Sequence, residues 1–97
     1  MTLDEFKASL ADTRLPTALS PALQALWHAG QNDWHAAHGI AQDDPGRDAA
    51  WVHAHLHRQE GDLANADYWY RRAGRSRPDT SLKVEWEAIG AELLARG

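Results

Sequence analysis

Gly61 to Pro78 constrains the fold of this chain more than any other stretch. It reads Gly-Asp-Leu-Ala-Asn-Ala-Asp-Tyr-Trp-Tyr-Arg-Arg-Ala-Gly-Arg-Ser-Arg-Pro. Asp62 is placed to cap a helix, and Leu63, Ala66, Tyr70 and Ala73 recur on one side of it. Gly74 and Pro78 close it. A weaker copy of its opening lies 29 residues upstream, where Asn32-Asp33-Trp34-His35-Ala36-Ala37 aligns with Gly61-Asp62-Leu63-Ala64-Asn65-Ala66. In both places a turn residue precedes Asp, a large apolar residue follows it, and Ala stands three further on. An amphipathic pattern precedes each copy, so the chain reads as a tandem of helical hairpins.

The remaining segments fit that reading. Thr2 and Glu5 have capping-box spacing, and Leu3, Phe6 and Leu10 give a first helix over about residues 3–12. Ser20-Pro21 starts a second helix with Leu23, Leu26 and Trp27 on one face, ended by Gly30. Asn32 or Asp33 caps a third, lined by Trp34, Ala37, Ile40 and Ala41. Asp43-Asp44-Pro45-Gly46 is a turn whose carboxylates oppose the helix dipole. Asp48 is expected to cap a fourth helix with Ala49, Val52 and Leu56 inward. After Pro78, one of Asp79, Thr80 or Ser81 starts a sixth, with Leu82, Trp86, Ile89 and Leu93 on one face.

Composition supports helices over sheets. Val52, Val84, Ile40 and Ile89 are the only Val and Ile residues, and sheets favour such β-branched side chains. Alanine, which favours helix, is abundant. The 97 residues suffice for one core and one domain. There is no cysteine, which removes disulfides and thiolate metal sites. No apolar run approaches the ~20 residues needed to cross a bilayer. The acidic start Met1-Thr2-Leu3-Asp4-Glu5-Phe6 lacks the features of a signal peptide, so a cytoplasmic protein is expected. The net charge of -4 opposes general nucleic-acid binding. Yet Arg58, Arg71, Arg72, Arg75 and Arg77 supply five of the 10 Lys and Arg residues.

Gly61, Ala66, Tyr70, Ala73 and Pro78 stand at the spacing of the second helix of a tetratricopeptide repeat, which this stretch resembles, and the run Tyr68-Trp69-Tyr70-Arg71-Arg72-Ala73 also resembles the related Sel1-like repeats. The resemblance covers about residues 20–78 and is weaker in the first hairpin. His53, Ala54 and His57 stand where that family has Leu, a small residue and Tyr. Pro45 follows Ala37 by eight residues, where Pro78 follows Ala66 by twelve. That difference predicts a second helix one turn shorter in the first hairpin. The resemblance implies an all-α fold of about six helices: hairpins over about 21–43 and 48–75, an N-terminal helix, and a capping helix over about 81–95. It also implies a concave, peptide-binding face formed by the first helix of each hairpin.

Three groups of residues carry candidate chemistry. His53 and His57 lie i, i+4 on one helix face, a spacing that can chelate Zn, Ni or Cu, with Glu60 a turn further. His35 and His38 form a second close pair, and His28 stands near the end of the preceding helix. A zinc site needs three or four protein ligands, of which the spacing fixes two. Arg71, Arg72 and Arg75 beside Tyr68, Trp69 and Tyr70 could stack on or pair with an anionic partner. They equally suit a solvated face with Asp67–Arg71 or Asp67–Arg72 pairs. Of the five tryptophans, Trp34 and Trp86 read as core, while Trp51 and Trp69 border their stripes. The carboxylate pair Glu85/Glu87 reads as solvated. No catalytic motif, phosphate loop or cofactor fingerprint is visible, so neither enzymatic activity nor a cofactor is expected.

The leading expectation is a non-catalytic protein-interaction module that binds an acidic peptide segment. Trp51, His55, Arg58, Trp69, Arg71, Arg72 and Arg75 are its candidate partner-binding residues. The alternatives are a metal-binding protein using His53 and His57, or a self-associating structural protein. Neither nucleic acid nor membrane is expected as a partner.

Overall fold

The computed structural model describes residues 1–96, which form six α-helices and no strand. They are α1 (Leu3–Ser9), α2 (Pro21–Gly30), α3 (Trp34–Asp43), α4 (Arg47–Gln59), α5 (Leu63–Arg72) and α6 (Leu82–Arg96). The fold is therefore all-α. None of these helices is long and apolar enough to cross a membrane.

Side-chain caps set most of the helix starts. Thr2 and Glu5 form the expected capping box on α1, at 2.8 and 3.1 Å. α1 stops at Ser9, short of the predicted end. The Ser9 hydroxyl donates to the Phe6 carbonyl at 2.6 Å and accepts from the Trp27 indole at 3.0 Å. A hydroxyl bonded back to the helix in this way competes with its continuation. Ser20 caps α2 with Pro21 in its first turn. Ser81 accepts from the Val84 amide at 3.1 Å at the head of α6. Asp48 does not cap α4. The Asp44 carboxylate accepts from the Gly46 amide at 2.8 Å and turns the chain early, so Gly46 becomes the cap. Asp48 instead pairs with Arg96 at 2.9 Å.

The two hairpin turns repeat each other's hydrogen bonds. Asn32 and Gly61 both take left-handed backbone, with φ 62 and 87. Asparagine tolerates that conformation better than most residues with a Cβ. The amides of Asp33 and Asp62 donate to the His28 and His57 carbonyls, each at 2.9 Å. Their carboxylates then cap α3 and α5, each at 3.2 Å. α3 is not shortened: both helices have 10 residues. The early Pro45 shortens the connection to α4 and leaves the helix intact.

α4 is the axis of the molecule and packs against α2, α3, α5 and α6. Every residue from Ala49 to His57 is buried. Ala37, Ala41, Ala50, Ala54 and Ala66, all 5 % exposed or less, let the neighbouring helices come close. α6 lies across both α2 and α4, and α1 packs on α6. A helix buried all round is ordinarily apolar. α4 carries His53, His55 and His57 into that environment, so each must find a partner or cost stability.

The tryptophans divide differently from expectation. Trp27 and Trp51 are buried, whereas Trp34, Trp69 and Trp86 are half-buried against the core. Trp34 and Trp86 sit at the core's edge because each directs its indole N–H to a carbonyl, Leu56 and Leu26, both at 2.9 Å. Indoles favour such positions, with one end apolar and the other polar. On α6, Ile89 and Leu93 are buried as expected, but Leu82 is exposed and Glu85 takes an inward position.

Candidate metal centre

Three imidazoles converge between α3 and α4. His53 and His57 stand one turn apart on α4, and His38 reaches them from α3. The Nε2 atoms of His38 and His53 are 3.1 Å apart. One ring nitrogen from each of the three residues lies within 4.8 Å of the others. Tetrahedral zinc with metal–nitrogen bonds of about 2.0–2.1 Å holds its ligand nitrogens roughly 3.3 Å apart. The His38–His53 pair is thus already at chelating separation, and the third ring has only to close on it.

Aromatic walls fix two of these rings. Trp34 stacks on His38 with centroids 4.6 Å apart and planes 10° from parallel. Trp69 stacks on His53 at 3.9 Å and 17°. The third ring is fixed by a hydrogen bond: His57 Nδ1 lies 2.7 Å from the Glu60 carboxylate. A carboxylate only accepts, so Nδ1 is committed to Glu60 and Nε2 is the nitrogen turned toward a ligand.

The electrostatics favour neutral rings. Burial, reinforced by the neighbouring His38 and His57, pushes the His53 pKa down to about 4. Burial and then His57 also lower that of His38. A metal requires the unprotonated imidazole. Here the protein keeps two rings in that form at neutral pH.

One atom of the cluster lacks a partner. His53 Nδ1 is buried without a hydrogen bond. Such a group costs stability that an apolar residue of the same size would not. The ring's other nitrogen shares a hydrogen bond with His38, so His53 is only half satisfied in the absence of a ligand. No family model, curated protein or solved structure matches this chain.

Of the histidines singled out by spacing, His53 and His57 are joined by His38 alone. His35 points to solvent, and His28 packs edge-on to Trp27 at 5.2 Å, outside the cluster. His38 was legible only as half of a sequence-local pair. The hairpin turn brings it to α4.

The residues expected to line a peptide groove are placed otherwise. α6 covers that face, so Trp51, His55 and Arg58 are engaged internally. His55 Nδ1 lies 2.7 Å from Glu85, and Arg58 donates to the same carboxylate oxygen at 3.0 Å. Arg58 also reaches the Thr80 carbonyl, and the Tyr70 hydroxyl donates to the other Glu85 oxygen. Glu85 is 3 % exposed, so it is not the solvated carboxylate that its pairing with Glu87 suggested. Trp51 is buried under the Arg75 guanidinium, 3.4 Å from the ring centroid, and Arg75 pairs with Glu92. Trp69 belongs to the histidine cluster. Arg71 and Arg72 remain on the surface of α5, Arg72 lying 5.1 Å from the Trp69 ring. The expected pairing of Asp67 with Arg71 or Arg72 is replaced by Asp67–Arg77 at 3.1 Å.

Proposed function

We propose that this protein binds a late first-row divalent metal ion through His38, His53 and His57. The observation that carries this reading is the convergence of three imidazole nitrogens within 4.8 Å in a pocket walled by Trp34 and Trp69. An all-nitrogen ligand set suits Zn, Ni or Cu and disfavours the oxygen-seeking Mg and Ca. Three protein ligands leave a fourth position for water or another small ligand. Glu60 acts behind His57, holding the tautomer that presents Nε2.

Zinc titration of protein purified without an affinity tag tests this. The expected result is one ion per chain and a stability gain of about 2.7 kcal/mol when free zinc is 100-fold above Kd. Glu60→Gln is expected to weaken binding by about 10- to 100-fold while leaving the fold intact. Substoichiometric zinc with no change in melting temperature would refute the reading.

A second reading is favoured by the outer face of α5. Among the described residues, Arg71 and Arg72 have no carboxylate partner, and Tyr68 and Leu63 beside them are exposed. We infer that this face binds an acidic protein segment, as the helical-repeat resemblance implies for another face. A synthetic Asp/Glu-rich peptide is expected to bind in a salt-sensitive manner. Binding should fall at least about tenfold in the Arg71→Ala/Arg72→Ala variant, a modest loss for two charged contacts. Equal binding by that variant would dismiss this surface. Dimerisation in light scattering, lost on changing Leu63 and Tyr68, would assign it to a second copy of the chain.

A further inference from the structure

We propose that a cavity between α1, α2, α4 and α6 is a second binding site, for a small hydroxylated aromatic acid. The cavity holds about 390 Å³ and opens to solvent. It is separate from the metal centre. His55 lies two residues from both His53 and His57, about 200° around the helix, and so faces away from them.

The recognition group is the outer nitrogen of His55. Its Nδ1 faces Glu85 at 2.7 Å. Arg58 and Tyr70 also donate to Glu85, so that carboxylate is fixed and acts only as an acceptor. Nδ1 is therefore committed to Glu85, and Nε2 is the ring nitrogen left to face a ligand. Among the described residues Nε2 has no protein partner, and only His53 Nδ1 is both buried and unpartnered, so Nε2 is not sealed in. His55 lines this cavity. A hydroxyl, which both donates and accepts, complements that nitrogen in either protonation state.

The rest of the cavity defines the rest of the ligand. Leu10, Leu82 and Trp86 supply apolar walls, which suit a flat ring. Two ammonium groups, Lys7 and Lys83, stand at the rim. Lys7 pairs with Glu87 at 3.5 Å. Lys83 has no carboxylate partner among the described residues, which leaves one positive charge for a ligand carboxylate. A buried, pre-oriented ring nitrogen, apolar walls and a cation at the mouth together match a phenolic acid.

The probe is 4-hydroxybenzoate, followed through the NMR resonances of the His55 ring and the Trp86 indole. Saturable shifts of both are expected, with a Kd of about 1 mM or tighter for a ligand of this size. Benzoate, which lacks the hydroxyl, is expected to bind about tenfold more weakly because it leaves Nε2 unpaired. Leu82 is 37 % exposed, so Leu82→Trp is expected to fill the cavity and abolish binding without lowering the melting temperature. Lys83→Ala, on an exposed position, keeps the test open should Leu82→Trp fail to fold; it is expected to weaken binding several-fold. Added zinc should leave the affinity unchanged, which separates this site from the metal centre. The proposal is overturned if 4-hydroxybenzoate gives no saturable shift, if benzoate binds equally well, or if the variants bind as the parent does.

Discussion

Replacing Glu85 with alanine is expected to destabilise the protein by about 3–5 kcal/mol, the range for removing one partner of a buried ionic group. Glu85 is 3 % exposed and accepts from His55, Arg58 and Tyr70 together. Without it, a largely buried guanidinium loses its counter-charge, and a phenol and an imidazole lose their acceptor. The cluster also ties α6 to α4 and α5, so its loss loosens the helix that covers the centre of the molecule. In a domain of this size each kcal/mol lowers the melting temperature by roughly 4–8 °C, so a fall of at least about 12 °C is expected. Urea denaturation measures this directly, and a loss below about 1 kcal/mol would mean that the cluster is solvated and of little weight.

The same cluster sets the pH response. Burial pushes the Glu85 pKa up, but hydrogen bonds from His55 and Tyr70 outweigh it and hold the pKa below the ordinary 4.5. A depressed carboxylate contributes stability that is present above its unfolded pKa and lost as pH falls through its folded one. Stability is therefore expected to decline in acid below about pH 4.5. Burial and the neighbouring Glu85 raise the Tyr70 pKa above its ordinary 10.0. The folded state thus favours the neutral phenol, and stability should also fall as pH rises past about 10. In a Glu85→Gln variant that retains the fold the acid arm should flatten, and the alkaline arm should weaken but persist, because Tyr70 remains buried.

The helices were legible because they rest on local signals. The Thr2–Glu5 box, the Ser20-Pro21 start and the Asp33 and Asp62 caps each act within one turn, and all four form as expected. The errors arose where a neighbouring turn or a distant contact outweighs the local signal. Asp48 lost its capping role to the turn made by Asp44. Glu85 was judged by its neighbour Glu87, although it stands four residues before Ile89 and shares that inward face. A carboxylate on a buried stripe needs cationic and hydroxyl partners, and His55, Arg58 and Tyr70 are 30, 27 and 15 residues away in sequence. The metal centre was half legible for the same reason. Helical spacing places His53 and His57 together, but His38 joins them only through the packing of α3 on α4.

His53→Leu and His55→Leu should have opposite consequences, although both replace a buried histidine of the same helix, 4 % and 3 % exposed. His55→Leu takes one of three donors from the buried Glu85 carboxylate, leaving Arg58 and Tyr70, and is expected to cost about 1.5–3 kcal/mol, the range for a hydrogen bond to a charged group. His53→Leu removes the unpartnered buried nitrogen, keeps a similar volume and packs an apolar side chain against Trp69. Its metal-free stability is expected to stay within about 1 kcal/mol of the parent, on either side, because an unsatisfied polar atom offsets the lost contact with His38. The metal response is where it should fail. With two ligands left, the gain of about 2.7 kcal/mol expected for the parent at 100-fold excess zinc over Kd should all but vanish. Thermal melts of the three proteins with and without zinc read both effects at once. If His53→Leu keeps the zinc shift, the ion is not held by this cluster. If it is destabilised without metal as His55→Leu is, the His38–His53 contact is a structural bond, and histidine at position 53 owes nothing to metal binding.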